Sequence, residues 1–229
     1  MKRYTKYPRT FHLEFSESVH SDDKIIKSLE HLEGKQVVVT LKMDGENTSI
    51  YSDGYIHARS IDSKSHWSRD IVKSIASVVR YNLPENYRIC CENLTAKHSI
   101  YYPDGYLEGP LYLLSVWDEN NQCLSWEDTC LYAEEMDLPQ PKVLYEGIFD
   151  IKKIKKIAES LDTTLEEGIV VRDANSFKYE DFSTHVTKFV RLNHVQDNEE
   201  HWIKNAVPNG KFQENIKPSF LQTKRKLKV

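Results

Sequence analysis

The chain has 229 residues, 39% hydrophobic, 29% charged and 11% aromatic, an ordinary globular composition that excludes a collagen-like repeat, a coiled coil or a wholly disordered chain. A net charge of −4, from 31 basic and 35 acidic residues, argues against a uniformly basic nucleic-acid binder. The charge is split, however: Lys2, Arg3, Lys6 and Arg9 open the chain and Lys217, Lys224, Arg225, Lys226 and Lys228 close it, leaving 22 basic against 35 acidic residues between them, or −13.

No apolar run approaches the length of a membrane span, and the charged start lacks the apolar stretch of a signal peptide. Cys90, Cys91, Cys123 and Cys130 form no CxxC pair and have no histidine at zinc spacing, so free thiols in a reducing, cytoplasmic setting are expected. There is no internal repeat and no low-complexity segment.

The first strong pattern, Gln36 to Lys42, is a β-branched run that reads as a buried strand. A turn at Met43 to Asn47 leads to a second strand, Thr48 to Tyr51. The Ser52-Asp53-Gly54 turn then precedes a third, Tyr55 to Arg59, so three consecutive antiparallel strands are expected to begin the core. From Trp67, apolar residues at Ile71, Ile75, Val78 and Val79 predict an amphipathic helix ending before Pro84. Strands are predicted at Tyr87 to Leu94 and Leu111 to Trp117, and Ser125 to Asp128 resembles a capping box opening a helix to Met136. A further helix, Ile151 to Leu161, carries a solvated basic face. Strands at Gly168 to Arg172 and His185 to Arg191 precede a short helix near Glu199 to Asn205 and the basic tail. The expected class is α+β, mostly antiparallel sheets with flanking helices. One domain over 1–192, followed by a short helical and basic extension over 193–229 with no OB domain, is the expected organisation.

Lys42-Met43-Asp44-Gly45 is the sharpest chemical feature: a lysine ends an apolar strand, with a carboxylate two residues on and a glycine turn behind it. A buried strand end can desolvate an amine and lower its pKa toward nucleophile range, although the four residues alone equally describe a strand-end lysine before an ordinary turn. Glu92 is a carboxylate in an otherwise apolar strand, where an unpaired charge is costly. Arg59 closes the third strand, and Trp117 ends another, where it could stack on a base or fill a core. Glu166 and Glu167 open the strand that ends in Arg172, while Lys188 and Arg191 lie in the last one. His66-Trp67-Ser68-Arg69-Asp70 is either a polar helix start or an RNA contact. The nine histidines form neither HxH nor HExxH, which speaks against a histidine metal site.

In this order and at these separations the segments resemble the motifs of the covalent nucleotidyltransferases, which comprise ATP-dependent RNA and DNA ligases and capping enzymes. KMDG resembles the nucleophile motif, Arg59 the arginine motif, Glu92 the third-motif carboxylate, Trp117-Asp118 the aromatic strand, EGIVVR the fourth motif and TKFVR the fifth. The fifth departs from the common Lys-x-Lys, since Lys188 is followed by Phe189, Val190 and then Arg191. Asn47, five residues after Lys42, is similar to the asparagine of phage and bacterial RNA ligases. Tyr7 to Leu13 and Asn193 to Asp197 also resemble segments of the small members of that branch.

The resemblance implies a nucleotidyltransferase fold, that of the ATP-grasp-like ligase adenylation domain, and an ATP-dependent RNA ligase. Lys42 would take AMP from ATP and pass it to an RNA 5′-phosphate, and an RNA 3′-OH would then displace AMP. Mg²⁺ or Mn²⁺ would be held by Asp44, Glu92 and Glu167, directly or through water, with Glu92 alternatively on the ribose. Lys188 would neutralise the α-phosphate and depress the Lys42 pKa. Trp117 and the Leu41 backbone would flank the adenine, Asn47 and Arg59 would contact phosphate or, after adenylation, the RNA ends, and Arg191 would stand in for the second lysine of the fifth motif at the nucleotide. A DNA ligase, a capping guanylyltransferase and a non-catalytic RNA-binding module are the alternatives, and a monomer is expected.

Overall fold

Alternation along Gln36–Lys42 sets the architecture, because this strand (β2) is buried on both faces. The computed structural model describes residues 4–192 and 206–212. In β2, Val37 and Val39 turn toward one core with Ile154, Ile169 and Phe189, while Val38, Thr40 and Lys42 face a cleft on the other side.

Two sheets flank that cleft. The first has five strands in the order β1 (Phe11–His12), β11 (Val186–Val190), β9 (Gly168–Asp173), β2 and β8 (Val143–Ile148). Its β1–β11 pair is parallel and its other pairs are antiparallel. The second has six strands in the order β10 (Phe177–Lys178), β7 (Gln122–Cys123), β6 (Leu111–Trp117), β5 (Arg88–Asn93), β3 (Glu46–Tyr51) and β4 (Ile56–Ala58), with antiparallel pairing.

Helices cover the outer faces. α1 (Asp70–Val79) and α2 (Trp126–Met136) pack Val72, Ala76, Val79, Ala133 and Met136 against Ile50, Ile89 and Leu113 of the second sheet. α3 (Ile151–Glu159) packs Ile154 and Ala158 on the first sheet and leaves its lysines outside. The short α4 is Phe182–His185. Ser125 caps α2 as its spacing predicts: its hydroxyl accepts from the Asp128 amide at 3.0 Å.

The α+β class and most of the predicted elements are present. The expectation of three consecutive strands in one sheet is corrected, since β2 belongs to the first sheet and β3 and β4 to the second. The chain changes sheets across Met43–Gly45, and a Cβ on Gly45 would sit 2.5 Å from the Asn93 carbonyl oxygen, so only glycine passes here. The predicted helix after Trp67 is α1 flanked by single 3₁₀ turns, Trp67–Arg69 and Arg80–Asn82. The expected Glu199–Asn205 helix, the segment 193–197, Lys2, Arg3 and the basic tail lie outside the described residues.

Candidate active site

Between the sheets lies a cleft of about 730 Å³. The register of the first sheet builds its chemical end. Thr40 pairs with Val170 and Val170 with Lys188, while Lys42 pairs with Gly168. Gly168 is required by close approach, since a Cβ there would lie 2.0 Å from the Phe189 carbonyl oxygen. Beside this side-chain gap, Lys42 Nζ donates to Glu167 Oε2 at 2.5 Å. Glu167 is 1% exposed and the lysine 22%, so the amine retains an open approach from the cleft.

The second sheet brings the facing groups. Glu92 pairs with Asn47 across β5 and β3, and Glu92 Oε1 accepts from the Gly45 amide at 3.2 Å. Asp44 Oδ2 accepts from the amides of Ser99 and Ile100 at 2.8 and 2.6 Å, and the Asp44 amide donates to Tyr102 Oη at 3.0 Å. Arg59 is exposed at the cleft wall. Behind it Arg69 is paired with Glu46, its Nε at 2.7 Å, and bonds the Lys64 carbonyl, which pins the 60–66 loop to β3.

Electrostatics distinguish the two lysines. Burial opposes the charge on Lys42, but Glu167, Glu92 and Asp44 outweigh it, so its pKa is raised. Lys188 goes the other way, down to about 8, through burial first and then Lys42. The expectation of a depressed Lys42 is therefore corrected for the protein without nucleotide: the depressed amine is Lys188, because Lys42 lies among the carboxylates. Glu92 is pushed up to about 8, chiefly by burial, against the pull of Lys42 and with the push of Glu167 and Asp44. His98, also in the wall, is lowered by burial.

Of the sequence-predicted residues, Leu41, Lys42, Asp44, Asn47, Arg59, Glu92, Glu167 and Lys188 line this one cleft. The Leu41 amide is committed to the Lys142 carbonyl at 2.9 Å. Two residues are elsewhere. Trp117 is fully buried among Phe177, Tyr179 and Phe182, with Arg88 over its ring, so it is a core residue rather than a cleft wall. Arg191 donates Nε to the Glu166 carbonyl at 2.7 Å and fastens the corner that carries Glu167, and it does not line the cleft.

The inner, apolar end is formed instead by Phe177, Phe182, Trp126 and Val170, with Arg172 bonded to the Leu114 and Leu124 carbonyls. Phe177 sits in a two-residue strand and Phe182 in a one-turn helix, too short for any periodicity to single out. Trp126 was visible only as the first residue after a helix cap.

Among the described residues no group of three or more His, Cys, Asp or Glu is placed to hold a metal by itself. The expected three-carboxylate metal centre is thus not preformed, and one Asp44 oxygen is already taken by two amides. The donor chemistry nevertheless suits a hard cation. Three carboxylates converge near one direct amine contact, where burial and the neighbouring Glu167 and Asp44 raise the Glu92 pKa, and Asn47 Oδ1 is buried with no partner among the described residues.

A family model described as RNA ligase matches residues 35–190, more than half of the chain. Among solved structures, an Aquifex aeolicus protein named as a candidate ATP-dependent DNA ligase has a TM-score of 0.55 at 20% identity, covering 81% of this chain and 50% of that one. An archaeal ATP-dependent RNA ligase has a TM-score of 0.55 at 16% identity, covering 82% and 48%. A Naegleria gruberi RNA ligase variant with ATP and Mn has a TM-score of 0.55 at 14% identity, covering 84% and 57%. At these identities the likeness is one of fold, and the chain spans about half the length of the structures it matches. No curated protein matches. No helix among the described residues is long and apolar enough to cross a membrane.

Proposed function

The chain belongs to the RNA ligase family, and from that premise we propose that it is an ATP-dependent RNA ligase joining RNA 3′-OH and 5′-phosphate ends. The observation that carries the reading is the Lys42 amine, open to the cleft, held by Glu167 and facing Lys188 and Glu92. Lys42 Nζ would attack the α-phosphorus of ATP, forming the N–P bond of a lysyl-AMP as the bond to pyrophosphate breaks. The amine must first lose a proton, and Glu167 Oε2, at 2.5 Å, is the nearest acceptor. Lys188 would face the α-phosphate and offset charge as it develops.

Glu92 and Glu167, with Asp44 behind them, would hold Mg²⁺ or Mn²⁺ through phosphate oxygens and water, and the ion would supply charge neutralisation. The ATP and Mn in the Naegleria structure support this nucleotide and metal class. The apolar end at Phe177 and Val170 suits a purine. In the later steps the adenylate would pass to an RNA 5′-phosphate, and the 3′-OH of a second end would displace AMP to close the phosphodiester. Arg59 and Asn47, on the cleft wall, suit contacts to phosphate.

Residues 1–192 would form the adenylation domain and 193–229 a basic extension, in a monomer. Free thiols at the four cysteines suit a cytoplasmic protein. The test is sealing of 5′-phosphorylated RNA with ATP and metal, beside matched DNA and 5′-hydroxyl RNA. Sealing confined to phosphorylated RNA is expected; sealing of DNA alone would replace the reading with a DNA ligase, and label from GTP but not ATP with a capping enzyme.

A further inference from the structure

Residues 4–12 precede the segment matched by the family model, yet they run along the cleft wall from one sheet to the other. At the second sheet, the Thr5 amide donates to Tyr51 Oη at 2.7 Å and Tyr51 Oη donates to the Thr5 carbonyl at 3.0 Å. The Tyr4 ring stacks on Tyr55 with centroids 3.8 Å apart, and its hydroxyl donates to Asp53 at 2.9 Å. Tyr179 Oη donates to the Lys6 carbonyl at 2.9 Å. At the first sheet, β1 pairs in parallel with β11, with His12 opposite Lys188. Between these anchors Tyr7 and Arg9 line the cleft.

The two residues lie against different parts of it. Tyr7 meets Phe182 edge-on at 5.3 Å, at the apolar end shared with Phe177. Arg9 is held by Asp22, with Nη2 at 3.1 Å from Oδ2 and Nη1 on the carbonyl, and its side chain remains 38% exposed. The neighbouring Asp23 has its Oδ2 3.3 Å from Nε2 of His12, the partner of Lys188. A guanidinium has five N–H donors and Asp22 occupies only some of them, so Arg9 can also bind phosphate oxygens.

We infer that the N-terminal segment is a strap completing the nucleotide site, with Tyr7 against the nucleoside and Arg9 on the terminal phosphates that leave as pyrophosphate. The strap bridges both sheets, so it fixes the cleft width as well as adding two contacts. This inference rests on the reading of the cleft as an ATP site.

The test is equilibrium binding of AMP and of α,β-methylene-ATP, which cannot transfer its AMP to Lys42, to the full chain and to the variants Arg9→Ala, Tyr7→Ala and Tyr7→Phe, each with a melting curve. Arg9→Ala should weaken the triphosphate about tenfold and AMP less than about twofold, because only the triphosphate reaches it. Tyr7→Ala should weaken both ligands by about tenfold, and Tyr7→Phe, which keeps the ring and the fold, should retain most of the affinity. Equal effects of Arg9→Ala on the two ligands, or a lowered melting temperature with unchanged affinities, would overturn the strap inference alone. Failure of the unaltered protein to bind either nucleotide would overturn the ATP-site reading and the strap with it.

Discussion

At the residue scale, Phe177 stands at the apolar end of the cleft, the place the resemblance gives to Trp117. Trp117 fills the core behind the cleft, so Trp117→Phe is expected to lower stability by about 1–3 kcal/mol while leaving the KM for ATP within about twofold. Phe177→Ala, at the cleft wall, should raise that KM by at least about fivefold. Melting curves and adenylation kinetics on the two variants separate the roles; a KM change in the tryptophan variant alone would restore it to the purine. Lys42, Glu92, Glu167 and Lys188 were legible because they stand in short motifs of fixed order and separation. Phe177 and Phe182 were not, because their neighbourhood exists only after β10 pairs with β7 and α4 packs on β11. The proton balance was equally illegible: the resemblance implies Lys188 near Lys42, and the fold adds Glu167 at 2.5 Å from its amine.

At the element scale, β2 and β9 carry the site, and their far end is tied by Asp173. Its Oδ2 accepts from Lys35 Nζ and His185 Nδ1, both at 2.9 Å, and its Oδ1 from the Asn175 amide at 2.9 Å. Although burial alone would raise its pKa, these bonds hold the carboxyl below its ordinary value. A carboxylate with a depressed folded-state pKa stabilises the protein fully above its ordinary value and loses that contribution as pH falls through the folded-state value. Stability should therefore decline as pH drops below about 4, and Asp173→Ala should cost about 3 kcal/mol at neutral pH and flatten the acid dependence, as read from urea titrations across pH. Gly168→Ala is expected to fail more severely, because its Cβ would meet backbone rather than a movable side chain. The β-branched strands β2 and β9 and the apolar, leucine-rich β6 were visible in the sequence, and so was the Ser125 cap. The edge strand β8 was not, since it is only partly covered and its sequence shows no two-residue alternation. Nor could spacing show that β2 and β3, three residues apart, belong to different sheets.

At the scale of the whole molecule, the −13 of residues 11–216 has a local counterpart in the carboxylates that surround Lys42. Positive charge sits around them, on Arg9, Arg59, Lys64 and Lys188 of the cleft wall, so net charge alone is a poor guide to an anionic substrate. The five basic residues of the segment 217–229 lie outside the described residues, and contact with the RNA backbone is predicted for them. Removing that segment should reduce the slope of log affinity against log salt by up to about 3 and leave adenylation of Lys42 intact, whereas an unchanged slope would return it to a solvated end. The central claim is that Lys42 is the nucleophile, and it is tested most directly by intact mass and peptide mapping after incubation with ATP and Mg²⁺ or Mn²⁺. The account predicts one AMP per chain in acid-labile linkage to Lys42, absent from Lys42→Ala. An AMP adduct on another residue, or an undiminished adduct in Lys42→Ala, would contradict it.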